Sequence, residues 1–412
     1  MTVRRIIVVG GGAAGFFAAI NAAENAKANN NLVDVQILEA SNSTLKKVSI
    51  SGGGRCNVTH NLFEVRAFCE RYPRGAKELL SAFQRFQARD TVEWFQKRGV
   101  HLVPEEDGRM FPDTNTSETI IKCFQDAATK AGVTVKLNHK VESITKSDAD
   151  AKFAVTIRAG EVIEADSVMI ATGSSAFGHK LAKELGHNIT ELAPSLFSFK
   201  INDPMLADLA GLSFEKAETK LLIEGAKPFK ETGPMLITHW GLSGPAILKI
   251  SAWAAREMLQ ADYKAQLKVN WMGADRIESI LTLLKDLKLD ANKSQLNNVY
   301  PTKLAKRFWL KVLEKANLPE DKRWAETSNK DLQAIAEILF ATTFEVLGKN
   351  RYKDEFVECG GVDLKEIDFK KMESKLCPGL YFAGEVLDID GITGGFNFQN
   401  AWTGAWIAAQ NL

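Results

Sequence analysis

Apolar and polar positions follow two different rhythms along this chain. Ile6-Ile7-Val8-Val9 is an unbroken β-branched run, the pattern of a strand buried on both faces. Gly10-Gly11-Gly12-Ala13-Ala14-Gly15 follows and leads into Phe16-Phe17-Ala18-Ala19-Ile20-Asn21-Ala22-Ala23, an Ala-rich helical stretch. Val33-Asp34-Val35-Gln36-Ile37-Leu38 alternates as a second strand. Residues 64–99 read as helical, with Phe68, Leu79, Phe83, Trp94 and Phe95 among the apolar anchors, and Thr116 or Ser117 is placed to cap a helix running to about Ala131. Between 133 and 165, short alternating runs separated by turn signals predict an antiparallel meander inserted in a parallel sheet. Ser167-Val168-Met169-Ile170-Ala171-Thr172-Gly173 returns as a buried strand whose small last residues leave room for a ligand at the carboxyl edge of the sheet.

From about Pro194 to Val269 the pattern becomes strand-like, and Ser243 or Gly244 is placed to cap a helix with Pro245 at its first position. This stretch predicts a second, β-barrel-like domain. Residues 274–340 are rich in Leu and Lys, mainly helical and broken at Tyr300-Pro301, which predicts a helical insert. Near the end, Gly379-Leu380-Tyr381-Phe382-Ala383-Gly384-Glu385 reads as a short strand, and Gly391-Ile392-Thr393-Gly394-Gly395-Phe396-Asn397-Phe398-Gln399-Asn400 opens an Ala- and Trp-rich helix. The expected class is α/β.

With 412 residues the chain is long for one core, and two or three domains are expected. The formal charge of +1 gives no global pull toward nucleic acid or membrane. Locally, Leu296–Ala325 holds seven Lys or Arg (Lys303, Lys306, Arg307, Lys311, Lys315, Lys322, Arg323) against Glu314, Glu320 and Asp321. The simplest account is a solvated helix face, with RNA as the partner that this basic stretch keeps open. The five cysteines form no CxxC pair and no metal-ligand spacing, which argues for a reducing compartment and against a structural metal. Arg4-Arg5 before an apolar run has the look of a secretory signal, but strand, turn and helix account for it fully. No run is long enough to span a bilayer, so a cytoplasmic location is expected.

The candidate chemistry lies in the glycines. Spacing at Gly10, Gly12 and Gly15 is that of a dinucleotide fingerprint: Gly10 for the tight turn, Gly12 for backbone approach to a pyrophosphate, Gly15 for helix–strand packing. Glu39, at the end of the second strand, is placed to accept hydrogen bonds from a ribose and argues against a 2′-phosphate there. Gly52-Gly53-Gly54 would destabilise any regular element, and a close approach to a ligand accounts for them, with Lys47 and Arg55 available for phosphate or flavin oxygens. Cys56, beside Arg55, reads either as a thiol with lowered pKa or as a small packed residue. Glu385 suits a ribityl hydroxyl, and the helix opened by Gly394-Gly395 suits negative charge on a reduced ring. His239, in a Gly-flanked loop, is the candidate for proton transfer, against a structural His bonded to backbone. There is no second Gly-x-Gly-x-x-Gly unit after a strand. A separate nicotinamide domain is therefore not expected, and NADH or NADPH would serve as a transient donor reaching the flavin through the substrate cleft.

Together, Lys47…Ser51-Gly52-Gly53-Gly54-Arg55-Cys56-Asn57, Thr238-His239…Gly241-Leu242-Ser243-Gly244-Pro245 and Gly379–Glu385 resemble the BaiN/RdsA-like flavoproteins, a branch of the glutathione-reductase-type FAD superfamily. The resemblance spans essentially the whole chain. It implies a Rossmann-like FAD-binding domain split between 1–193 and 352–412, a β-barrel-like substrate domain at 194–273 and 341–351, and a small helical insert at 274–340. It implies that Gly10, Gly12, Ala13, Ala14, Gly15, Glu39 and Ala40 hold the ADP half, with Val141 near adenine through its backbone. Lys47, Gly53, Gly54, Arg55, Cys56 and Asn57 would lie near pyrophosphate or flavin, and Ala171, Thr172 and Gly173 beneath the cofactor. Gly384, Glu385, Gly394, Gly395, Phe396, Asn397 and Phe398 would hold ribityl and ring. Thr59-His60 stands where the family has Thr-Asn, and Ser174–Gly178 is several residues shorter than the family's loop. The implied function is an FAD-dependent oxidoreductase transferring hydride to or from an activated C=C or C–N bond of an unidentified substrate, a small molecule or, alternatively, a uridine of ribosomal RNA. Family activities include reduction of steroid-like enones, oxidation of an amino ketone and reduction of ribosomal RNA uridine. A flavoprotein that binds FAD without turnover is the non-enzymatic rival.

Overall fold

Strand Arg4–Val9 lies near the middle of a seven-stranded sheet, paired on both sides. The computed structural model describes residues 3–147, 149, 151–158, 160–350 and 357–412. The chain divides into two units, 1–193 with 357–412, and 194–356. The expected boundary at 351–352 lies outside the described residues.

In the first unit the strand order is Ile367–Asp368, Glu373–Ser374, Leu380–Phe382, Ser167–Ile170, Arg4–Val9, Val33–Leu38, Thr134–Lys136. The last five are parallel and the first two are antiparallel at one edge. Val33–Leu38 lies on one side of Arg4–Val9 and Ser167–Ile170 on the other. The chain therefore changes direction across the sheet at the carboxyl end of the first strand, where a crevice for a ligand forms in such sheets. One sequence expectation needs correction. Thr134–Lys136 does not belong to the antiparallel meander but pairs in parallel with Gln36–Leu38 at the sheet edge. Its alternation was indistinguishable from that of the meander proper, which comprises Val141–Lys146, Phe153–Ile157 and Val162–Ala165. Helices Ala13–Ala28 and Phe396–Ala409 pack together on the sheet. Phe17 seals that packing, 4.6 Å from the Trp94 ring and 5.3 Å from Trp402, both side chains of the helix pair fully buried. Burial of this size stabilises by roughly 1.5–3 kcal/mol per side chain.

The second unit is built on one antiparallel sheet in the order Thr342–Val346, Ala265–Asn270, Ser213–Leu222, Phe229–Thr238, Gly241–Ser243, Phe199–Lys200, Gly348–Lys349. The two edge strands are separated in the chain by Leu347 alone, so one stretch pairs with both ends of the sheet. Gly244 caps helix Pro245–Trp253, with Pro245 at its first position. Helices Ile277–Asp290, Lys306–Lys315 and Asn329–Ala341 fill the region read as an insert. Their buried side chains join the same apolar core as the sheet: Phe308 is 4.9 Å from Phe214 and 4.7 Å from Trp271. Lys303 lies in the turn before helix Lys306–Lys315, not on its face. No helix among the described residues is long and apolar enough to cross a membrane.

Candidate functional site

The fingerprint turn is held from both sides. Gly10 N–H bonds to the Leu38 carbonyl at 2.9 Å, and Ala171 N–H bonds to Val9 at 2.9 Å. Gly10 has φ +108°, and a Cβ there would lie 2.6 Å from the Ala171 carbonyl oxygen. A Cβ on Gly15 would overlap the Gly10 carbonyl oxygen, which is the close helix–strand packing expected of it. Gly12 is the contrast: a Cβ there would meet nothing within 4 Å. Its neighbours are crowded, while the space in front of Gly12 is open, at the N-terminus of a helix with no side-chain cap. The first helical N–H groups, from Ala13 and Ala14, have no intrahelical acceptors and face that end. The cradle fits a pyrophosphate.

Glu39 is fixed by three bonds. Its carboxylate accepts from Gly11 N–H at 2.8 Å, Ser41 N–H at 2.8 Å and Ser41 O–H at 2.7 Å. Charge-assisted bonds of this kind lock both the turn and the carboxylate. The segment leading to Val141 runs beside it, since His139 N–H bonds to the Glu39 carbonyl at 2.8 Å and Asn138 N–H to Ser41 at 3.0 Å. The Val141 side chain is buried, so it is the backbone around it that adjoins exposed Ala40. Ser41 was not legible as a site residue because its role depends on this turn.

At the carboxyl ends of the central strands three distant segments meet. Lys47 pairs with Glu385, and its ammonium lies 3.4 Å from Ser174 Oγ. Gly173, at φ +61°, would place a Cβ 3.6 Å from Glu385 Oε2. Gly384, at φ +79°, would put one 3.4 Å from Ala14 and 3.6 Å from Ala401, so first and last helices both close on it. Thr172 Oγ1 is buried against Gly178 with no hydrogen-bond partner among the described residues. Lys47 lies in helix Lys46–Gly54, whose Ser51, Gly52 and Gly53 depart from helical angles. Gly53 and Gly54 stand clear of neighbours, a Cβ on either meeting at most an atom 3.9 Å away.

Arg55 and Cys56, which follow the triple glycine, are both held by the protein itself. Arg55 bonds Glu105 at 2.6 Å and Asn115 at 3.3 Å and lies 4.0 Å over the Phe111 ring. Cys56 is fully buried at φ +63°, and burial pushes its thiol up to about 12. It is protonated at neutral pH, so the structure offers a packed residue and no thiolate.

Asn57 explains itself through the final helix. Its amide donates to the Thr59 carbonyl at 3.0 Å and accepts from Gly395 N–H at 2.9 Å. Gly394 and Gly395 have φ +135° and +89°, and a Cβ on Gly395 would overlap the Thr59 carbonyl. His60 bonds the Gly394 carbonyl at 3.0 Å and stacks on Phe396, 4.8 Å between centroids. Tyr72 O–H donates to the Phe396 carbonyl at 2.6 Å. Asn397 exchanges two 2.8 Å bonds with the Gly391 backbone, and Phe398 stacks on Trp402 at 5.5 Å. These side chains build the loop and aim the helix N-terminus. His239 belongs to the other unit: it is exposed, in the turn between strands Phe229–Thr238 and Gly241–Ser243.

A family profile described as "HI0933-like protein Rossmann domain" matches residues 4–411. The chain is 29% identical over 423 residues to a ribosomal RNA dihydrouridine synthase of Escherichia coli (strain K12), covering 98% of this chain and 97% of that one. It is 26% identical over 418 residues to a 3-dehydro-bile acid delta(4,6)-reductase of Clostridium scindens, covering 98% of each.

Proposed function

The chain belongs to the HI0933-like family of FAD-dependent Rossmann oxidoreductases, and on that premise we propose that it reduces a carbon–carbon double bond conjugated to a carbonyl group. Bound FAD supplies two-electron hydride chemistry. The chain's own residues do the rest. The turn Gly10–Gly15 would receive the pyrophosphate, Glu39 and the backbone near Val141 would take the adenosine end, Thr172 and Gly173 would support the cofactor, and Glu385 would hold a ribityl hydroxyl. The uncapped start of helix Phe396–Ala409 stabilises negative charge on the ring. His239, exposed at its hairpin turn, delivers the proton that balances the hydride.

The observation that carries this choice is a shared bond. Dihydrouridine differs from uridine by saturation of a ring double bond conjugated to a carbonyl, and a delta(4,6)-reductase acting on a 3-dehydro compound saturates bonds of the same kind. A C–N bond substrate has no such support here. Ribosomal RNA is the substrate favoured within this class, since the identity to the dihydrouridine synthase is 29% against 26% to the reductase, over equal shares of the chain. Mass mapping of ribosomal RNA from cells with and without the protein tests it. A uridine that gains two hydrogens only when the protein is present supports RNA. Unchanged RNA, with turnover of a steroid dienone by the purified protein, assigns the small-molecule branch. No turnover of either, with FAD bound, rejects the reaction.

A further inference from the structure

The four residues Asn57–His60 are tied, one after another, to the start of the last helix. The Asn57 carboxamide accepts from Gly395 N–H at 2.9 Å, and the Val58 carbonyl accepts from Trp402 Nε1–H at 2.9 Å. Thr59 O–H donates to Gln399 Oε1 at 2.7 Å, and His60 Nδ1 lies 3.0 Å from the Gly394 carbonyl oxygen. We propose that His60 is a positioning residue for the flavin: by holding the Gly394 carbonyl it keeps the start of helix Phe396–Ala409 directed at the ring, and so raises the flavin's reduction potential. This rests on the reading above, in which the ring lies at that helix start.

The direction of the His60 bond is fixed. A carbonyl oxygen only accepts, so Nδ1 carries the proton and donates it. The imidazole is held on two sides: it stacks on Phe396, 4.8 Å between centroids and 29° between planes, and Gly108 leaves room for it, since a Cβ there would lie 2.5 Å from His60 Nε2. Its backbone is fixed opposite Arg109 in the pairing of Thr59–His60 with Arg109–Pro112. Gly394 and Gly395, at φ +135° and +89°, have no Cβ to restrict the turn, so its orientation depends on bonds from outside. The helical ladder opens with Gln399 N–H to the Gly395 carbonyl at 3.0 Å, which leaves the N–H groups of Phe396, Asn397 and Phe398 ahead of it. Those dipoles favour the negative charge of a reduced ring. The Gly394 carbonyl, at the same tip, carries the opposite partial charge, and His60 occupies it. Released from His60, that carbonyl can turn and offset the N–H groups, so loss of the Nδ1–H donor favours oxidised flavin.

Equilibration of the FAD-loaded protein with a reference dye measures the potential without any substrate. His60→Phe keeps an aromatic ring beside Phe396 but lacks the donor. It should shift the balance toward oxidised flavin about tenfold, which lowers the potential of a two-electron couple by about 30 mV. His60→Asn and His60→Leu form a second pair, matched in size, of which only Asn carries an N–H donor where Nδ1 stood. His60→Asn should stay near wild type, and His60→Leu should fall with His60→Phe. A merely structural role would lower the melting temperature of the variants and leave all their potentials in place. His60→Phe within about twofold of wild type, roughly 9 mV, overturns the proposal, as does His60→Asn falling as far as His60→Leu. The reaction proposed above is read separately, by RNA mass and dienone turnover, so either can fail without the other.

Discussion

Lys47 and Glu385, 338 positions apart in sequence, form an ion pair at the carboxyl ends of the central strands. Glu385 is largely buried and Lys47 is half-exposed, so truncating the lysine leaves the carboxylate with Ser174 and Gly173 for company. Lys47→Met should weaken FAD binding by roughly tenfold, about 1.4 kcal/mol, and Glu385→Gln by a similar factor. The double variant should lose less than the sum, because each single change removes the same contact. Fluorescence titration of apoprotein with FAD measures all three.

Gly12 and Gly15 make a matched pair of opposite sign. A side chain at Gly12 enters open space, so Gly12→Val should leave the melting temperature of the apoprotein unchanged and abolish the flavin absorbance of the purified protein. A methyl at Gly15 collides with the Gly10 carbonyl, so Gly15→Ala should destabilise the apoprotein itself by roughly 1–3 kcal/mol. Differential scanning of the two apoproteins separates the effects.

His187 predicts an acid limit. Its Nδ1 lies 2.9 Å from Glu366 and its Nε2 2.8 Å from Ser374 Oγ, with the Phe382 ring edge-on at 4.9 Å. Burial holds its pKa below the ordinary value despite Glu366, and burial does the same to His179. With the folded pKa depressed, the unfolded chain takes up protons that the native protein refuses. The contribution is full above about pH 6.5, the unfolded value, and falls away as pH drops below it. Melting temperature should therefore decline on acidification from about pH 6.5, and His187→Gln should flatten that decline.

Cys56 should be inert. With its thiol at about 12 and no exposed surface, iodoacetamide at neutral pH should leave it unmodified in the native protein and label it on unfolding. Peptide mass mapping before and after denaturation checks this.

How much was legible depended on whether a role was local. The run Ile6–Gly15 carries its own explanation, since strand, turn and helix each impose a residue type within ten positions. Gly244-Pro245 and Thr116 likewise cap their helices as local chemistry dictates. Asn57 is different. Its type says only that it is polar, and its partner Gly395 lies in another segment. Arg55 reads from the sequence as available for phosphate or flavin oxygens, and nothing there announces Glu105 or the Phe111 ring as its partners. Thr134–Lys136 was misplaced because alternation reports a half-buried strand without naming its neighbour.

The order in which the parts of the first unit emerge from the ribosome has a consequence of its own. The fingerprint is made before strand Leu380–Phe382, which pairs with Ser167–Ile170, and before the acidic Glu385 and helix Phe396–Ala409. Until that helix is made, Phe17 waits without the Trp402 ring that packs on it. A nascent chain stalled before residue 380 has half a cradle and an uncovered apolar helix. Cofactor capture thereby waits for the segment 380–409, and a chain cut short before it should be taken by proteases before it can hold flavin.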